Sequence, residues 1–72
     1  MIHDIRQRLN ARPFEPFIVV TSGGTRYRIP TAEHAGINPQ GNRVIIWFDD
    51  GGGVDVAGLH IVALEREAPR AA

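Results

Sequence analysis

The chain has 72 residues, in which eight basic side chains balance eight acidic ones and cysteine is absent. A single domain of this size buries only about 60% of the surface that its unfolded chain exposes. The lack of cysteine excludes disulfides and thiolate metal sites as supports, so we expect a homo-oligomer. A net charge of zero argues against long-range attraction to nucleic acid or anionic membranes.

The sequence contains no segment that is typical of a membrane span or a signal peptide. Its longest apolar run, VIIWF at 44–48, is far too short to cross a bilayer. Residues 1–10 carry charges throughout and lack the apolar core of a signal peptide. We therefore predict a cytoplasmic protein that does not associate with membranes.

The first element is predicted to be a short amphipathic helix. Ile2, Ile5 and Leu9 recur at helical spacing and would form one apolar stripe. Asn10 and Pro13 mark its end, because the residue before a proline is pushed out of the helical region. A helix this short is marginal alone in water, so its stripe must pack against the rest of the protein.

Residues 12–17, RPFEPF, allow two interpretations. A P-x-x-P peptide ligand is one, but such ligands normally lie in exposed proline-rich tracts. Here a strand begins immediately with FIVV. We interpret the segment as a rigid corner that places the rings of Phe14 and Phe17 in the core.

Residues 17–30 are predicted to form a β-hairpin around a Ser-Gly-Gly turn. Alternation in its second strand predicts that Tyr27 and Ile29 face inward and that Arg26 and Arg28 face solvent.

An irregular segment, residues 31–42, is predicted to follow the hairpin. It has room for one helical turn that stops at Gly36, and residues 38–41 are typical of a β-turn. Glu33 and His34 lie in this segment, and the sequence assigns them no role.

A second hairpin is predicted across the turn at 49–53. Its first strand would place Val44, Ile46 and Phe48 on one face, with Ile45 and Trp47 on the other. A strand that is apolar on both faces needs cover on both. Either the helix or a second subunit should lie over Ile45 and Trp47.

A last strand is predicted after a bend at Gly58, with Ile61 and either Val62 or Leu64 buried. Residues 1–67 would then form one domain, followed by a frayed tail at 68–72. The predicted fold is mainly β (α+β): an N-terminal helix and a strongly bent, five-stranded antiparallel sheet, as in SH3-like and Sm-like small barrels. A flat meander under the helix is the alternative.

The chain resembles a group of short uncharacterised bacterial proteins of planctomycete type. The resemblance covers nearly the full length and rests on the R-P-F-x-P-F corner and on the glycine turn whose second strand ends at Pro30. Many of those proteins carry His-Pro-Glu after this proline, where this chain has Thr-Ala-Glu-His at 31–34. The resemblance implies no function, and no site is carried over from it.

A weaker, topological resemblance is to Sm and Hfq proteins, which form RNA-binding rings. The chain lacks the Asp-Gly of the first Sm motif and the Arg-Gly-Asn of the second hairpin, and LHIVALE is only faintly similar to the Lys-His segment of Hfq. If RNA binds, the residues expected to contact it are Arg26, Arg28, Arg43 and His60.

Nothing in the sequence forms a recognisable catalytic or metal motif. Ser22 is the only serine and lies in a turn, and Asp49 and Asp50 precede three glycines as turn residues do. Three scattered histidines show no zinc spacing. We expect no enzymatic activity, no cofactor and no required metal.

The sequence therefore predicts a non-enzymatic binding or assembly module. It would self-associate through a strand edge and the face that carries Ile45 and Trp47, since exposed aromatic residues are typical interface anchors. The alternatives are an Sm/Hfq-like RNA-binding ring and a regulator that binds a protein partner.

Overall fold

A computed structural model describes residues 1–67, and the predicted frayed tail at 68–72 lies outside the described residues. Within the described residues one helix and six strands follow each other. Their bounds are α1 Ile2–Asn10, β1 Phe17–Thr21, β2 Arg26–Ile29, β3 Ala35–Ile37, β4 Arg43–Trp47, β5 Gly53–Ala57 and β6 Ile61–Arg66.

The strands form two separate antiparallel sheets of three strands each. The first sheet has the order β2-β1-β6 and the second sheet the order β3-β4-β5. The predicted α+β class with a leading helix is confirmed. The prediction of one five-stranded sheet closed into an SH3/Sm-like barrel is wrong, because there are six strands and the two sheets do not join into a barrel.

Two 3₁₀ turns lie where the chain passes from one sheet to the other. The chain leaves β2 at Pro30, which has no N–H to continue a ladder, and passes through the turn Ala32–His34 before β3 begins. It returns to the first sheet through the turn Gly58–His60, between β5 and β6. The predicted helical turn in residues 31–42 is therefore present, but it ends at His34, and Gly36 belongs to β3.

Both predicted hairpins are confirmed, with β1 paired to β2 and β4 paired to β5. In the first hairpin Ile29 is buried and Tyr27 is half-buried, whereas Arg26 and Arg28 are exposed, as alternation predicted. In the second, Val44 and Ile46 are fully buried, but Phe48 follows the last residue of β4 and is 40% exposed.

The hydrophobic core draws on both sheets and on the helix. Ile5 is fully buried, and Ile2 and Leu9 pack against the core, so the helix packs on the core side and leaves Trp47 47% exposed. The buried residues are Ile5, Phe17, Val19, Ile29, Ala35, Val44, Ile46, Val56 and Ile61.

The corner at 12–17 and the last strand follow the predicted pattern. The Phe14 and Phe17 rings lie 6.1 Å apart, with Phe17 fully buried and Phe14 packed against the core. In β6, Ile61 is buried and Leu64 packs on the core, while Val62 is 55% exposed. Within the described residues no helix is long and apolar enough to cross a membrane.

Candidate functional site

The outer face of the second sheet, opposite the core, holds the two residues predicted to form an interface. Strand alternation and register place Ile45 and Trp47 there together. Ile45 is half-buried and Trp47 is 47% exposed. We call this surface the tryptophan face; its members are Gly36, Arg43, Ile45, Trp47, Gly53, Asp55 and Ala57.

Gly36 on β3 makes room for the indole of Trp47, and Gly53 on β5 lies beside the ring. A Cβ at Gly36 would lie 3.1 Å from Cη2 and 3.3 Å from Cζ3 of the indole, so the ring lies over the backbone of β3. Gly53 is the register partner of Trp47 on β5, and its hypothetical Cβ would lie 3.6 Å from Cδ1 of the ring. The indole therefore lies across its own sheet and keeps one surface open to solvent.

One ion pair borders the aromatic part of the tryptophan face. Nε of Arg43 donates to Oδ1 of Asp55 at 2.8 Å, between β4 and β5. Both side chains are about half exposed, at 47% and 54%, so the pair contributes little stability in water. Its effect is to leave the face with no net charge.

The outer face of the first sheet has a different construction. Arg26 on β2 reaches Glu65 on β6 at 2.5 Å. Arg28 on β2 pairs with Glu67, to which its Nη2 donates at 3.1 Å. Both pairs cross over β1, which lies between β2 and β6. They lie on the face of the sheet that also carries Ile18. We call this surface the ion-pair face.

Three of the residues predicted to contact RNA are thus engaged with carboxylates. Arg26, Arg28 and Arg43 each form an ion pair, and the hydrogen bond to Glu67 raises the pKa of the Arg28 guanidinium above its usual value. The structure brings Arg26 and Arg28 together on β2, but Arg43 lies on the other sheet and His60 in the turn before β6. The four residues do not form one basic patch.

A chain of hydrogen bonds centred on His34 was not foreseen from the sequence. Nδ1 of His34 lies 2.8 Å from Oγ1 of Thr31, and Nε2 lies 2.7 Å from Oδ1 of Asp49. Thr31 also caps the 3₁₀ turn by accepting from the N–H of Glu33 at 3.2 Å. The spacing of Thr31 and His34 was a local signal, but Asp49 is fifteen residues further along, and only the fold brings it near.

The directions of the hydrogen bonds around His34 indicate that this residue ties two loops together. When Nε2 donates to Asp49, Nδ1 accepts from the Thr31 hydroxyl, and both ring nitrogens are satisfied. A hydroxyl, an imidazole and a carboxylate are also the groups that activate a nucleophile in some enzymes. Here, however, the Thr31 oxygen already caps the 3₁₀ turn, and the Asp49 side chain is 88% exposed. Both observations favour a structural role. The three groups fasten the β2–β3 connection to the β4–β5 turn.

The carboxylates of the β4–β5 turn act separately. Asp50 accepts from the N–H of Gly52 at 2.8 Å and stabilises its own turn, whereas Asp49 turns toward His34. Among residues 1–67 no group of three or more histidine, aspartate or glutamate side chains is placed to hold a metal ion.

An open aromatic cleft of about 290 Å³ adjoins His34. The rings of Tyr27 and Phe48 stack in it, 6.1 Å apart and 18° from parallel, and Trp47 also lines it. The cleft thus extends the exposed aromatic surface from the tryptophan face to the end of β2.

Comparisons of the chain with protein-family models, with curated proteins and with solved structures gave no match. The sequence resemblances to the short bacterial proteins and to Sm and Hfq proteins therefore stay predictions.

Proposed function

We propose that the chain is a non-enzymatic assembly module that contacts a second copy of itself through the tryptophan face and the edge of β5. The observation that most directly supports this is that Trp47 is about half exposed and its indole lies over Gly36. A rigid aromatic ring on an open, flat surface is the kind of group that anchors protein interfaces.

The charges of the tryptophan face suit a second copy as the occupant. Each face carries one cation, Arg43, and one anion, Asp55, already paired with each other. Two such faces meet without net repulsion, and about a twofold axis each cation can approach the anion of the other copy. The small size of the domain adds a reason, because a chain of about this length buries too little surface to be very stable alone.

The dimensions of the face explain why a strand edge must take part. Three strands about 4.8 Å apart, with about five residues rising about 3.4 Å each, give an area of only about 240 Å². A stable interface buries about 800 Å² on each partner. β5 is an edge strand among the described residues and contains neither proline nor lysine, so its backbone is open to pairing with another chain.

Sedimentation velocity on the full chain tests the proposal. We expect a discrete species heavier than the 7.9 kDa monomer at micromolar concentration, and a shift to monomer in Trp47→Ala. Leu59→Ala is the matched control, because Leu59 is 82% exposed but lies in the turn before β6. Circular dichroism of each variant checks that the fold is retained.

A second readout locates the interface. Trp47 is the only tryptophan, so dilution of the wild-type protein should shift its fluorescence to longer wavelength as the indole becomes exposed. Amide exchange in β5 should accelerate over the same dilution range. A wild-type chain that is monomeric at 100 μM, or a Trp47→Ala variant that assembles like Leu59→Ala, would contradict the proposal. A monomer whose Trp47 is protected only by a different protein would favour the regulator instead.

A further inference from the structure

The arginines of this protein fall into two groups that the sequence does not distinguish. Arg26, Arg28 and Arg43 are paired with carboxylates on the outer faces of the sheets. A second group has no carboxylate within ion-pair distance among residues 1–67. Three of its members, Arg8, Arg12 and Arg66, line a single cleft of about 450 Å³.

This arginine cleft lies where the end of α1, the corner and the end of β6 meet. Its remaining lining residues are Gln7, Ala11, Pro13 and Glu15. The volume falls within the range of about 300–1,000 Å³ that is usual for sites of small molecules.

Two of these guanidinium groups, those of Arg8 and Arg12, are held by contacts that leave most of their N–H donors unused. Arg8 lies over the Phe17 ring, 5.5 Å from its centroid, a cation–π contact that leaves the N–H edge of the guanidinium open. Arg12 donates from Nη1 to the carbonyl of Ala11 at 2.9 Å, and a guanidinium has five N–H donors in all. Arg66 is the register partner of Phe17, which places it beside the same ring.

The charges of the cleft define the ligand that would neutralise it. Three guanidinium groups and the one carboxylate of Glu15 leave an excess of two positive charges. A phosphate monoester carries about −1.5 to −2 at neutral pH, whereas a carboxylate carries only one charge. The planar fork of arginine also matches two phosphate oxygens at once.

The dipole of α1 does not help the cleft to attract an anion. The negative end of the α1 dipole lies at its C-terminus, where it favours nearby cations such as Arg8 and Arg12. Affinity for an anion must therefore come from the guanidinium groups themselves.

We propose that the arginine cleft binds a phosphate dianion, either free or carried by a small phosphorylated molecule. Its three arginines donate to the phosphate oxygens, and the rest of the cleft accommodates the attached organic group. This site is independent of the tryptophan face, so either proposal can fail without the other.

The test titrates the full chain with inorganic phosphate and with glycerol phosphate at constant ionic strength, observing the arginine Nε–H resonances by NMR. We expect saturable shifts at Arg8, Arg12 and Arg66. Removing one charged donor should weaken binding by about tenfold or more, so Arg12→Gln and Arg66→Gln should each show this loss. Arg6→Gln, whose exposed side chain lies on α1 outside the lining of the cleft, is the matched control and should bind as the wild type does.

The two probes distinguish the sources of the phosphate. Equal affinity indicates that the dianion alone is recognised, and tighter binding of glycerol phosphate indicates that the organic group occupies the cleft. Equal binding by Arg12→Gln, Arg66→Gln and Arg6→Gln overturns the proposal. A single-stranded oligonucleotide that binds more tightly than glycerol phosphate through the same arginines also overturns it, in favour of a nucleic-acid site.

Discussion

The outer faces of the two sheets show how differently three short strands can be covered. On the ion-pair face, Arg26 and Arg28 each span the central strand to reach a glutamate near the far edge. On the tryptophan face, the single ion pair joins neighbouring strands, and Trp47 covers part of the rest. Long charged side chains extend over the central strand of the first sheet, whereas the second sheet carries an aromatic ring that is about half exposed.

The contrast follows from the residues on the outer strands of each sheet, which are arginines on β2 and glycines at 36 and 53 on β3 and β5. Arg26 and Arg28 pair across β1 with carboxylates on or just beyond β6, and stems that take this path place methylene groups along the apolar residues of β1. Gly36 lies beneath the indole and Gly53 beside it, and neither contributes a side chain, so the ring lies flat on the sheet with Trp47 47% exposed. The outer face of the first sheet is thus crossed by ion pairs within one chain, whereas we propose that a second copy covers the tryptophan face.

The largest expected effect is on the free energy of unfolding, and it differs between substitutions on the two faces of β4. Ile46 is fully buried against the core, whereas its neighbour Ile45 lies half-buried on the tryptophan face. Ile46→Ala should lower the free energy of unfolding by about 2–5 kcal/mol because it leaves a cavity, and Ile45→Ala by only about 1 kcal/mol because less area is lost. Urea denaturation of dilute protein measures both. Equal losses would show that Ile45 is as much a core residue as Ile46.

A smaller effect is expected where the indole meets the backbone of β3. In Gly36→Ala the new methyl group lies 3.1 Å from the indole, so Trp47 must shift, at a cost of about 1 kcal/mol. Gly23→Ala is the matched control, because its methyl group would meet nothing closer than 4.0 Å and should be neutral or stabilising by about 0.4–1 kcal/mol. Thermal unfolding of the two variants shows whether each substitution raises or lowers stability, and tryptophan fluorescence reports the displacement of the indole. If Gly36→Ala stabilises the protein as Gly23→Ala does, the indole does not depend on this glycine.

The elements that could be predicted from the sequence are those whose signal is local. Alternation in residues 26–29 and the glycine turns were sufficient for both hairpins, and the apolar spacing of Ile2, Ile5 and Leu9 was sufficient for the helix. β3 was missed because it has three residues, one of them Gly36, and is defined only by its pairing with β4.

The division into two sheets could not be predicted from any local pattern in the sequence. It is set by the pairing of β6 with β1, and no turn or alternation specifies that register. The same holds for the candidate sites. Arg26 and Arg28 were among the residues predicted to contact RNA, but both pair with carboxylates that lie on β6 and just beyond it. Arg8, Arg12 and Arg66 come together only when the helix, the corner and β6 have packed.

The smallest expected effect concerns the ion-pair face. Arg26 and Glu65 are 52% and 44% exposed, so water screens their attraction and holding two long side chains in place costs entropy. A double-mutant cycle of Arg26→Gln and Glu65→Gln should give a coupling free energy of about 0.2–1 kcal/mol. Urea denaturation of the four proteins at low ionic strength measures it.

The salt dependence of this coupling tests what the arginines contribute. The Debye length falls from about 10 Å at 0.1 M salt to about 3 Å at 1 M, so the charge attraction between Arg26 and Glu65 should largely disappear. The part of the Arg26→Gln loss that comes from its methylene groups covering β1 should persist at high salt. A coupling that survives 1 M salt would mean that the pair is far less accessible to water than its exposure indicates. The first sheet would then owe its covered face to a buried electrostatic contact, and the contrast with the tryptophan face would be sharper still.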